Sequence, residues 1–108
     1  MTQKYEVIHY TENGKDFFED WLKKLRDLKA KSAIMRAVTN LLDGNFGNHK
    51  FCRDGVWEII LNISAGYRIY YSMIGNTVVL LLCAGSKRTQ NKDIDNAVKL
   101  LKKYKEEH

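Results

Sequence analysis

The feature that most constrains this chain is a change in the period of its apolar residues, from three or four before Gly44 to two after Asn48. From Lys15 to Leu28, Phe17, Phe18, Trp21, Leu22, Leu25 and Leu28 share one stripe with charge opposite, and Ala33, Ile34, Ala37, Val38, Leu41 and Leu42 repeat the pattern up to the stop signal Gly44. These predict two antiparallel helices joined around Lys29–Lys31. Ahead of them, the short aromatic and β-branched run Tyr5–Tyr10 predicts a first strand, with the Thr11 hydroxyl offered as a cap for the first helix. Beyond the loop Gly44–Asn48, the turn signals Asp54-Gly55, Ser64-Ala65-Gly66 and Gly75-Asn76 delimit four strands. They are Asn48–Arg53, Val56–Ile63, Tyr67–Met73 and Thr77–Ala84, the last apolar on both faces and therefore central. Gly85 ends that strand, and Ile94, Ala97, Val98, Leu101 and Tyr104 mark a helix over Asn91–Lys105, with fraying expected beyond it. The order β-α-α-β-β-β-β-α predicts an α+β domain in which an antiparallel sheet packs on helices with one face and keeps the other for a partner.

A chain of 108 residues is one domain's worth, long enough to bury roughly 65% of the surface its unfolded form exposes. The expected domain spans 1–108, since no repeat, low-complexity tract or proline-rich linker interrupts it. Eighteen Lys and Arg against thirteen Asp and Glu give a net charge of +5, which favours polyanionic partners because neutralised phosphates release counterions. The plain alternative is a solvated basic surface. Cys52 and Cys83 show no paired spacing, and Cys83 lies in an apolar run, so a reducing, cytoplasmic setting is expected. No apolar stretch approaches a membrane span, and MTQKYEVIHY lacks the apolar segment of a signal peptide. His9 and His49 have no metal-like spacing, and there is no G-x-x-x-x-G-K, C-x-x-C or G-x-S-x-G motif. No cofactor is expected.

Strand alternation puts Trp57, Ile59, Leu61 and Ile63 on one face and Val56, Glu58, Ile60 and Asn62 on the other; Tyr67, Ile69, Tyr71 and Met73 likewise oppose Arg68, Tyr70 and Ser72. If the polar faces coincide, Glu58, Arg68 and Tyr70 share a surface with the cationic turn Lys87-Arg88. Cleaving RNA through the adjacent 2′-hydroxyl needs in-line geometry, charge stabilisation on a phosphorane and a proton for the leaving oxygen. Arg68 suits the second task, because its planar fork takes two phosphate oxygens, and Lys87 or Arg88 suits the leaving group. Tyr70 is placed to stack on an unpaired base, and Glu58 to act as a base if its pKa is raised. Lys50 and Arg53 add charge for tracking phosphates without reading sequence, and Arg88 and Gln90 are expected to join them as RNA contacts. The plain alternatives are cross-strand pairing for Arg68 and Tyr70, an ordinary ion-paired carboxylate for Glu58, and helix capping for Thr89 and Gln90.

Five segments in register, FFEDWLKKLRD (Phe17–Asp27), DGNFGNHKF (Asp43–Phe51), DGVWEI (Asp54–Ile59), GYRIYY (Gly66–Tyr71) and AGSKRTQNKDI (Ala84–Ile94), resemble the RelE/ParE toxin superfamily, most closely its HigB-like addiction module killer branch. The resemblance runs from about Phe18 to Leu101. It implies a RelE-like toxin of a type II toxin-antitoxin module, a ribosome-dependent mRNA endoribonuclease (mRNA interferase) that inhibits translation without a metal. The implied partners are the ribosome, mRNA and a cognate antitoxin from the same operon, a helix-turn-helix protein through which alone the toxin meets operator DNA. On the same basis Arg68 matches the family's phosphate-contacting arginine, Lys87 its cation near the scissile phosphate, and Gln90 and Asp93 the T-Q-x-x-D-I lead into the last helix. Glu58 matches the acidic place of the usual E-L-R triplet, whose arginine is here Ile60. Two alternatives stand beside this reading: a ParE-like gyrase inhibitor of the same fold, and an antitoxin-binding module with weakened catalysis.

Overall fold

A computed structural model describes residues 4–108, so the first three positions of the expected domain lie outside the described residues. Strand β1 (Glu6–His9) is followed by a hairpin of two-residue strands, β2 (Thr11–Glu12) and β3 (Lys15–Asp16). Its turn is Asn13-Gly14, with φ of 52° and 79°, the left-handed pair that a tight hairpin needs and that Asn-Gly supplies with least strain. The helix expected from Lys15 therefore starts two residues later. Helix α1 (Phe17–Lys24) is capped by Asp16, whose side chain accepts from Glu19 N, in place of Thr11. A second aspartate, Asp27, caps α2 (Leu28–Leu41) by accepting from Ala30 N, which moves the link from Lys29–Lys31 to residues 25–27.

Strands β4 (His49–Arg53), β5 (Val56–Leu61), β6 (Tyr67–Ile74) and β7 (Val78–Ser86) form the expected meander. A 3-10 turn, Lys87–Thr89, leads into α3 (Gln90–Glu107), which stays helical past the expected end. The sheet order is β1-β7-β6-β5-β4. β7 is central, as its two apolar faces require. The sheet is mixed, however, because β1 runs parallel to β7, with Glu6 opposite Val78 and His9 opposite Leu81. The long connection between β1 and β7, through the helices and the meander, permits this parallel sense, which no tight turn could join.

Both faces of the sheet are covered. Helices α1 and α2 pack Phe18, Leu22, Ala30, Ile34 and Leu41 against Ile59, Tyr67, Ile69, Tyr71, Val79 and Leu81. On the opposite face, α3 packs Ala97, Leu100 and Leu101 against Val56, Tyr70, Leu80 and Leu82, joined by Tyr10. The expectation of a face left wholly available is thus corrected: the amphipathic stripe of α3 has no other apolar surface to bury. In β7 the register slips between Tyr70 opposite Cys83 and Tyr71 opposite Leu81. This bulge at Leu82 resets the alternation, so that Leu82 faces α3 while Ala84 returns to the α1 side.

Candidate nucleic-acid interface

The polar faces of β5 and β6 coincide. Glu58 lies opposite Tyr70 and Ile60 opposite Arg68, while Lys50 on β4 faces Glu58 from the other side. Arg68 is also opposite Gly85 on β7. What alternation cannot reveal is depth: Glu58 is 3% exposed, Arg68 9% and Tyr70 0%.

Around Glu58 the contacts are few and specific. Gln90 Nε2, from the first residue of α3, donates to Glu58 Oε1 at 3.1 Å and Oε2 at 3.3 Å. Arg68 Nε stands 3.6 Å from Glu58 Oε1, within ion-pair reach but too far for a hydrogen bond. Arg68 Nε and Tyr70 Oη are both buried with no hydrogen-bond partner among the described residues. Burial, reinforced by the Glu58 and Asp93 charges, pushes the Tyr70 hydroxyl well above its ordinary pKa, so it remains a neutral donor.

Two glycines border this pair: Gly66, whose φ of +79° favours glycine, and Gly85, where no side chain fits. A side chain at Gly66 would meet Lys87 Cβ at 3.5 Å and Arg68 Nη1 at 3.8 Å, and Lys87 N donates to Gly66 O at 2.8 Å. At Gly85 the space that a side chain needs is held by Asp93 Oδ2 and Thr89 Oγ1. Thr89 Oγ1 donates to Asp93 Oδ2 at 2.5 Å, which locks the turn onto the first turn of α3. Desolvation raises the Asp93 pKa, with the Thr89 hydrogen bond and Lys92 opposing it.

The structure therefore brings Glu58, Arg68, Lys87 and Gln90 together. Lys87 and Arg88 are exposed, and Lys50 is exposed beside Glu58. Two expected roles change. Tyr70 is enclosed between the sheet and α3 and offers no ring face to a base; Gln90 turns inward onto a carboxylate instead of outward to a ligand. Arg53 stands apart, since its guanidinium pairs with Asp54 at 2.8 Å and with Asp95 of α3, both of which raise its pKa. Its charge is neutralised locally. His9 Nδ1 meets Asp16 Oδ2 at 2.8 Å, and His49 Nδ1 meets Gly47 O at 3.0 Å. Among the described residues no three His, Cys, Asp or Glu side chains converge as metal ligands, and no helix is long and apolar enough to cross a membrane.

Sequence reasoning missed the two spacers, Gly66 and Gly85, as parts of the site. The signal was present in their placement: Gly66 directly precedes the strand that carries Arg68, and Gly85 lies opposite Arg68 within β7.

The fold and site together define a class: among the described residues, an α+β domain with a mixed five-stranded sheet, three α-helices, and a buried carboxylate-guanidinium pair under a basic turn. No family model matches the chain. It is 44% identical over 80 residues to an uncharacterized protein of Haemophilus influenzae (strain ATCC 51907 / DSM 11121 / KW20 / Rd), the match covering 74% of this chain and 81% of that protein. The chain belongs to the family of that protein.

Proposed function

We propose that the protein is the toxin of a type II toxin-antitoxin module, with a RelE-like fold, acting in the cytoplasm as an endoribonuclease on mRNA being translated. The observation that carries this reading is Arg68: a guanidinium fixed on a central strand, its Nε without a hydrogen-bond acceptor among the described residues, near the exposed Lys87 of the turn. A phosphate bridging Arg68 and Lys87 gains a charge-assisted pair of hydrogen bonds from the fork and a point charge from the ammonium. The net charge of +5 supports the same polyanionic class of substrate. Arg68 stabilises the phosphorane and Lys87 the leaving oxygen, while the ribosome supplies the in-line geometry that the isolated protein does not impose. A cognate antitoxin neutralises the toxin by covering the basic turn.

Ile60 favours a second reading. It lies opposite Arg68, so the site has no second guanidinium on β5; where such a donor stabilises a transition state, its loss costs about 3 to 4 kcal/mol. This describes an antitoxin-binding module with weakened catalysis. Inducible expression in a bacterium separates the readings, with growth followed alongside 5′-end mapping of a translated message and its start-codon-less copy. New ends on the translated copy alone are expected. Growth arrest with intact message and broken chromosomal DNA would transfer the function to gyrase inhibition, and unimpaired growth would favour the weakened module.

A further inference from the structure

We infer that the β4 edge of the sheet is a base-stacking site, where His49 and Phe51 of β4 and Trp57 of β5 take unpaired bases of a single-stranded RNA. The inference rests on the nucleic-acid reading above and deepens it, because that reading gives the RNA a place for its phosphates and none for its bases. Tyr70, the ring expected to stack, is fully enclosed. The open rings stand instead at β4, the last strand in the sheet order, which pairs with β5 alone. Phe51 is 50% exposed, and no other Phe, Tyr or Trp among the described residues is exposed.

A lone exposed ring needs no explanation, but Phe51 belongs to a row. Its centroid lies 5.2 Å from that of Trp57, at an interplanar angle of 71°, and Trp57 is 5.8 Å from the exposed ring of His49, which is 5.8 Å from Phe46. Edge-on contact leaves flat ring faces open that a face-to-face stack would have used. The row borders a cavity of about 240 Å³ lined by Tyr5, Phe46, His49, Trp57, Tyr71 and Met73. That is below the roughly 300 Å³ at which pockets for drug-sized ligands begin, and suits one planar ring system. Rings of this kind also take cations, but a net charge of +5 and the exposed Lys50 in the same strand work against one. Lys50 stands between His49 and Phe51 and is paired with Glu58, whereas Phe51 is paired with Trp57. Successive residues of a strand point to opposite faces, so the edge offers a cation on one side and rings on the other. A nucleic-acid strand, with phosphates along one side and bases along the other, matches both.

The test uses the full chain with Trp21→Phe, which leaves Trp57 as its single tryptophan, and a short single-stranded RNA. Binding is followed by Trp57 fluorescence and, independently, by the anisotropy of a label on the RNA. Quenching of Trp57 on binding is expected. Phe51→Leu keeps an apolar side chain against Trp57 and deletes the ring. It should weaken RNA binding by about 5- to 100-fold and leave the salt dependence unchanged, since the phosphate contacts remain; Phe51→Tyr should restore the affinity. Lys50→Ala should instead lower the salt slope by about one phosphate contact. Salt-dependent RNA binding without Trp57 quenching, and without loss in Phe51→Leu, would overturn the stacking site and leave the nucleic-acid reading standing. No binding by anisotropy would overturn the site and count against that reading as well. Quenching by N-acetylphenylalaninamide but not by RNA would give the rings to an aromatic side chain of a protein partner, and would equally overturn the inference.

Discussion

Arg68 illustrates how one side chain can be central to stability and, in the proposed reading, to function as well. It is nearly enclosed, its charge is balanced by Glu58, and its Nε is unsatisfied. Removing one member of a buried pair leaves the other uncompensated, so Arg68→Ala is expected to destabilise the fold by about 3 to 5 kcal/mol. Arg68→Lys keeps a cation beside Glu58 and should remain close to the wild type in a chemical-denaturation midpoint, while losing the fork. The comparison of the two midpoints checks the assignment; equal midpoints would mean that the charge pair contributes nothing. The strand alternation in the sequence already placed Glu58 and Arg68 on one face. It could not place Tyr70 inside, because burial of that face depends on α3, whose docking is a tertiary fact.

At the scale of elements, the hairpin Thr11–Asp16 joins the N-terminal strand to the C-terminal helix. Glu12 Oε1 accepts from Lys103 Nζ of α3 at 3.1 Å and from Tyr10 Oη at 3.0 Å. The hydrogen bonds from Lys103 and Tyr10, in that order, hold the Glu12 carboxyl below its ordinary pKa. A carboxylate whose folded pKa is lowered adds stability above its unfolded value, about 4.3, and loses it as pH falls through the folded value. Glu12→Gln should therefore unfold at lower temperature than the wild type at pH 7, with the gap closing in acid. A gap independent of pH would remove the ion pair from the account. The Asn13-Gly14 signal for this hairpin stands in the sequence, but it is overlaid by a helical pattern that begins at the next residue. The helix link is obscured in the same way: Asp27 reads as a surface charge until its side chain is seen to accept from Ala30 N. The meander was legible because its turn residues punctuate a clear two-residue period.

For the molecule as a whole, β7 is the shared wall of two cores, one under α1 and α2 and one under α3. Leu81 faces the first and Leu80 the second, and both are fully buried. A single truncation there should be felt through the entire sheet: Leu81→Ala is expected to lower stability by about 2 to 5 kcal/mol, in one cooperative transition seen equally by far-UV and near-UV circular dichroism. Separate transitions would show that the two cores unfold independently. The radius of gyration, 13.0 Å, is about that of a single 100-residue domain, in keeping with one shared sheet. The parallel pairing of β1 with β7 was illegible because it joins residues some seventy positions apart, and no local pattern records a partner so distant. The same holds for the covered second face. The apolar stripe of α3 announces that it will be buried, but not against which side.

In the proposed mechanism, Arg68 and Lys87 act together on a phosphate of translated mRNA. It is tested most directly by 5′-end mapping of a translated message after matched expression of the wild type and of the Arg68→Lys, Lys87→Ala double variant, which keeps the charge beside Glu58. Cleavage in the variant should fall by about 10²- to 10³-fold, as when a preorganised transition-state donor is removed. Cleavage by the folded variant at the wild-type level would contradict the account.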